Sequence, residues 1–213
     1  MSVQFYTPIK LNAVNATRMI IGGGNGVYES LDEGDTLSAI GPGIVVNASG
    51  RNPIAYGGVG AEDALYVGAA NRVFVRFNAG ASLTVSSTYP GSRIVEGIDA
   101  QLSNPKVAYV VDSSQVFRTD DAGATWSDIS GNLGTLNPGI LRSVAFMNGA
   151  STPMVAVGSD RGVFAAKGPD FDQWSKFGNN LPNAPVVHLE FSHEDKLMLA
   201  GTLGRGAWTV DVP

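Results

Sequence analysis

The sequence contains no cysteine. Disulfides, thiolate nucleophiles and cysteine metal sites are therefore excluded together. Histidine is nearly absent: only His188 and His193 occur, five apart, with no metal-ligand spacing and no convincing Ser-His-Asp order. Long apolar runs are missing, and none reaches the roughly 18 residues that a membrane helix requires. The start, "MSVQFYTPIK", lacks the basic flank and apolar run of a signal peptide. A chain whose leader had been removed would read the same. Positive charge is also short: 14 Lys and Arg stand against 19 Asp and Glu, for a net charge of −5. The basic residues are scattered singly, so the positive stripe expected of a nucleic-acid binder is absent. No segment keeps a 3.6-residue apolar period with caps, which leaves little helix.

What the sequence does have is glycine, 27 in 213 residues, and short apolar runs bounded by Gly, Asn, Asp and Pro. These are strand signals. They recur as an apolar strand, a small loop and a Val-aromatic pair. The copies are "RMIIGGGNGVYES", "ALYVGAANRVFVR", "KVAYVVDSSQVFRT", "PMVAVGSDRGVFAA" and, with Ala for Val, "LMLAGTLGRGAWTV". Their aromatics, Tyr28, Phe74, Phe117, Phe164 and Trp208, are spaced 46, 43, 47 and 44 residues apart. Each copy has an apolar strand before it, such as "RIVEGIDA" or "VVHLEF". All but the last have a fourth strand after it, such as "TWSDIS" or "QWSKF". Four strands per unit of about 40–50 residues is the pattern of a β-propeller blade.

The expected fold is all-β: one domain, a five-bladed β-propeller with four antiparallel strands per blade. The blades span about 8–42, 53–88, 93–131, 140–178 and 186–213. The fifth unit ends after its third strand, whereas "SVQFY" precedes the first. The sequence therefore predicts that residues 2–6, with Val3 and Phe5 in alternation, complete the last blade and close the ring.

Between third and fourth strands lies a recurring turn. "SLDEGDTL" (30–37) and "TDDAGATW" (119–126) share Ser/Thr-x-Asp-x-Gly-x-Thr and a large apolar residue. Asp32 and Asp121 suit an Asx-turn, Gly34 and Gly123 a positive φ, and Ser30, Thr36, Thr119 and Thr125 a self-bonded loop. Leu37 and Trp126 would anchor it. In unit two Asn78 and Gly80 keep part of the pattern, with Leu83 as anchor; unit four keeps little beyond Trp174. The pattern resembles the Asp-box of sialidase-type (BNR-repeat) propellers, found also in sortilin-type receptors, xyloglucanases and the photosystem II assembly factor propeller. The ending "GTLGRGAWTV" is similar to the closing blade of the sortilin and xyloglucanase group. The resemblance implies that the box is structural and sits away from the ligand face.

The ligand face would be formed by loops joining second to third strands. Asn25, Asn71, Ser114, Arg161 and Arg205 fall at one equivalent point of those loops, and form the candidate binding set. Turn formers explain the asparagines as well, but not the two arginines. Long loops from Gly41 to Pro53 and from Ser130 to Gly139 add Asn47, Arg51 and Asn52. Glu96, Asp99, His188 and Glu190 lie on first strands that would line the channel. Glu96 and Asp99 are an odd offset apart and should point to opposite faces.

The resemblance also implies what an enzyme would need. A sialidase requires an arginine cluster with a Tyr–Glu pair; no Arg-Ile-Pro motif is present. A xyloglucanase places two aspartates between two large propellers. A glycosidase or lyase built on Asp112, Asp160 and Glu96 at the channel mouth is the enzymatic alternative. The favoured reading is a non-enzymatic module, extracellular or periplasmic, that binds a glycan or protein, with no cofactor, metal, nucleic acid or membrane insertion. A third reading is an architectural domain that contacts neighbouring domains of a larger surface protein.

Overall fold

The computed structural model describes residues 1–47, 53–148 and 152–212. Each sequence unit forms one antiparallel sheet, or blade, with its strands in chain order. Blade one holds β1 (Ile9–Leu11), β2 (Met19–Gly23), β3 (Gly26–Ser30) and β4 (Ser38–Pro42). Blade two holds β5 (Ile54–Tyr56), β6 (Leu65–Ala69), β7 (Arg72–Arg76) and β8 (Thr84–Val85). Blade three holds β9 (Val95–Ala100), β10 (Ala108–Asp112), β11 (Val116–Thr119) and β12 (Ser127–Asp128). Blade four holds β13 (Leu141–Met147), β14 (Met154–Ser159), β15 (Gly162–Lys167) and β16 (Trp174–Phe177). Blade five has three strands: β17 (Val186–Ser192), β18 (Leu197–Thr202) and β19 (Ala207–Asp211).

Second strands such as β6 and β10 are buried at every position. They are sandwiched between neighbouring blades, so both faces are apolar and no polar alternation survives. The core is a series of seams. Ile20, Val27, Ile54 and Leu65 join blades one and two; Tyr66, Val73, Ile98 and Val110 join two and three. Tyr109, Val116, Phe146 and Trp174 join three and four; Ala145, Met147, Leu189 and Met198 join four and five. Among the described residues no such cluster joins five to one. Ile9 and Leu11 on β1 remain 54% and 55% exposed.

The expected closure by the N-terminal strand is corrected by this arrangement. Residues 2–6 lie on blade one, not blade five. The Ser2 carbonyl accepts the Gly24 N–H at 2.8 Å, and the Ser2 N–H donates to Asn25 Oδ1. Gln4 Nε2 donates to the carbonyls of Gly22, Gly23 and Val46. The Gln4 amide thus ties residues 2–6 to the end of β2 and to the Val46 carbonyl, and this polar contact outweighs the short Val3–Phe5 alternation. Val3 and Phe5 are left facing solvent.

Candidate functional site

The two best-preserved turns fold alike. Thr36 donates to Asp32 from its N–H (2.9 Å) and its hydroxyl (2.6 Å). Thr125 does the same to Asp121, at 2.8 and 2.6 Å. The Ser30 and Thr119 hydroxyls donate to Asp32 and Asp121, and accept the Gly34 and Gly123 N–H groups. These hydrogen bonds, those from Thr36 and Thr125 foremost, hold both carboxyls below their usual range. Gly34 and Gly123 have positive φ, as does Gly80 in the worn copy. So do Glu33 and Ala122, which the sequence pattern did not mark. Asp120, adjacent to Asp121, turns instead to Arg118 at 2.6 Å. The neighbouring carboxylates serve separate partners and do not act as a pair.

The residue after each box shows how blades couple. Leu83 is buried against Ile40 of blade one. Trp126 donates from Nε1 to Ser86 of blade two at 2.9 Å, and Trp174 to the Ile129 carbonyl of blade three at 2.8 Å. Each anchor seats on the preceding blade. Leu37 on blade one stays 40% exposed.

At the opposite end of the sheets are the turns from second to third strands. Asn25, Asn71, Ser114, Arg161 and Arg205 all stand there, exposed. Asn25 is partly occupied, accepting from Ser2 and from the Tyr28 hydroxyl. Arg161 reaches the Asn137 carbonyl at 3.2 Å. Asn47 donates to the Ala70 carbonyl, tying one long loop to the next blade; Arg51 and Asn52 lie outside the described residues. Asp112 is fully buried, and its Oδ1 accepts the N–H groups of Ser114 and Gln115. Asp160 accepts from Arg142 Nε at 2.6 Å and from the Ile140 N–H. Asp112 Oδ1 thus caps its own turn, and Asp160 ties the turn after β14 to Ile140 and Arg142 at the start of β13.

First strands surround a central cavity of about 540 Å³. It is lined by Lys10, Asn12, Glu96, Asp99, Arg142, His188, Glu190 and His193 among others. Glu96 and Asp99 both reach it, against the opposite-face expectation. The reason is a bulge: β10 pairs Val111 with Gly97 and Asp112 with Val95, so Glu96 is the extra residue. β13 and β17 carry the same irregularity at Arg142 and Val187. All three bulged residues, Glu96, Arg142 and Val187, line the one cavity. Arg142, missed from the sequence, stands at the bulge position of "LRS" that Glu96 holds in "VEG" and Val187 in "VVH"; Lys10 and Asn12 carried no signal.

The cavity is electrostatically mixed. Burial raises Asp99, against hydrogen bonds from the Phe146 and Ala100 N–H groups and the pull of Lys10. Glu190 is lowered, first by its hydrogen bond to His188, at 3.4 Å, and also by Lys10. Burial lowers His193.

No protein-family model and no curated protein matches the sequence. Solved structures do match in shape. An ancestral GH74 enzyme superposes over 100% of this chain with a TM-score of 0.75 and 14% identity. The chain is a β-propeller. The propeller domain of Myceliophteria thermophila Cps50 (Swd1) matches over 100% of the chain, with a TM-score of 0.71 and 10% identity. YCF48 from Cyanidioschyzon merolae matches over 98%, at 0.59 and 16%. The propeller spans 32% of the GH74 chain, 68% of the Swd1 chain and 67% of the YCF48 chain. At these identities the likeness shows the fold alone.

Proposed function

We propose that this propeller is a non-enzymatic recognition module, extracellular or periplasmic, which binds a glycan or a protein loop at the end bearing Arg161 and Arg205. The observation that supports the reading is a cavity of about 540 Å³ lined by the first strands of the five blades, among them Lys10, Glu96, Arg142 and Glu190; the turn residues do not line it. Concave sites with a few convergent polar groups are the usual places for ligands. The exposed turn residues Asn71, Ser114, Arg161 and Arg205 supply donors at the loop-rich end, suited to hydroxyls or carboxylates. Asp112 and Asp160 hold turns, which speaks against the channel-mouth acid–base set.

A glycan array followed by calorimetry on the best binder tests this. Arg161→Ala with Arg205→Ala should weaken binding by about tenfold or more. Unchanged affinity in that double variant would refute the choice of surface. The enzymatic reading retains one supporting observation, that Asp99 and Glu190 are pushed in opposite directions in one cavity. Hydrolysis of an aryl glycoside that disappears in Glu190→Gln would establish it instead.

A further inference from the structure

Charge in the central cavity is concentrated at one level. Lys10, Ala55, Asp99, Ala145 and Glu190 each pair with the residue three places before the end of their blade's second strand. They are therefore equivalent, one per blade, and all five line the cavity. In blade order they present an ammonium, a methyl, a carboxylate, a methyl and a second carboxylate. The two alanines fill little space, so this level belongs to the three charged groups. Glu96 and Arg142 stand at the bulges, outside it.

The three charges do not neutralise one another by contact. Arg142 pairs with Asp160 at 2.6 Å, whereas Lys10 makes no hydrogen bond or ion pair among the described residues. Its pull nonetheless reaches both Asp99 and Glu190. Asp99 is held by the Phe146 N–H at 2.7 Å and the Ala100 N–H at 2.9 Å, and Glu190 contacts His188 at 3.4 Å. Each carboxylate keeps lone pairs for a further donor. A simple anion drawn to Lys10 would face two carboxylates, and a simple cation drawn to those would face Lys10. A molecule that carries both signs avoids both repulsions.

We propose that the central cavity binds a small zwitterion bearing a carboxylate and a primary ammonium, as a free amino acid does. Its carboxylate sits on Lys10, and its ammonium donates to Glu190 and Asp99. The cavity, about 540 Å³, lies in the range of about 300–1,000 Å³ usual for small-ligand pockets. The second-to-third-strand turns do not line it, so this site stands or falls separately from the recognition surface.

The probes are free L-amino acids and the ω-amino acids from β-alanine to ε-aminocaproate. They are screened against the full chain by ligand-observed NMR, with calorimetry on the strongest. Saturable binding is expected. Converting the probe's carboxylate to an amide, or acetylating its amine, should each weaken binding by about tenfold or more. Lys10→Met should weaken the zwitterion similarly and turn preference toward the matching simple amine. Glu190→Gln, at a mostly exposed side chain, should turn preference toward the matching simple carboxylate. Absence of binding at millimolar probe overturns the proposal. Equal affinity for the amide and acetyl derivatives does so as well, and needs no variant to fold. Zwitterion affinity unchanged in either variant also overturns it.

Discussion

The seam between blades one and two carries a buried ionic network beside its apolar cluster, where the seam between three and four is apolar and aromatic. At the first, Glu29 accepts Arg76 Nη1 and Nη2 at 2.9 and 2.6 Å, the Tyr56 hydroxyl at 2.6 Å and Arg18 Nη2 at 3.2 Å. Arg18 Nε donates back to Tyr56 at 2.8 Å. All three charges are buried, Arg76 completely in its side chain. At the second seam, Tyr109 stacks on Phe146 at 5.3 Å, and Trp174 fills the space beyond. The apolar seam is held by area and shape, and it tolerates partial loss. The ionic seam is held by mutual satisfaction. Each buried charge is acceptable only while its partners remain.

The largest expected effect breaks that contrast at the ionic seam. Glu29→Leu leaves Arg18 and Arg76 buried without their shared acceptor, and should cost about 3–5 kcal/mol in urea unfolding. Replacing Arg18, Glu29 and Arg76 together by apolar residues should recover most of it; a triple variant as unstable as the single would show that the network holds the seam by more than partner satisfaction. At the apolar seam Trp174→Phe keeps most of the area but strands the Ile129 carbonyl. A loss of about 1–3 kcal/mol is expected, and a loss as large as that of Glu29→Leu would erase the distinction. The smallest effect comes from mild acid. Burial alone would raise Glu29, but hydrogen bonds from Arg76 and Tyr56 overcome it and hold the carboxyl at about 2, against an ordinary 4.5. The unfolded chain therefore takes up the proton first. Glu29's contribution is complete above about pH 4.5 and lost as pH falls toward 2. Urea midpoints at pH 5 and pH 3 should diverge more for the wild type than for Glu29→Gln.

Much of the architecture was legible because it repeats. The Val-aromatic pairs set the period, and the turns at Asp32 and Asp121 gave their hydrogen bonds away by residue type alone. The ionic seam was illegible for the same reason. Glu29 and Arg76 stand where other units carry Val75, Ala165 or Ala166, and they meet across 47 residues with no periodic cue. Glu96 and Asp99 misled in another way: strict alternation separates them, and a single extra residue in β9 reunites them. The N-terminal strand failed because Val3 and Phe5 offer only two apolar positions, against the Gln4 amide that ties the segment to the end of β2 and to the Val46 carbonyl.

Among the described residues apolar clusters join each blade to the next from one to five, and none joins five to one. Blades one and five then each have one apolar seam where the others have two, and the loss of either costs one such surface and not two. Opening then begins at that joint and works inward. Blade five, with three strands and a single seam, is the natural first to fray, and β10, at the middle, the last backbone to surrender its hydrogens to exchange.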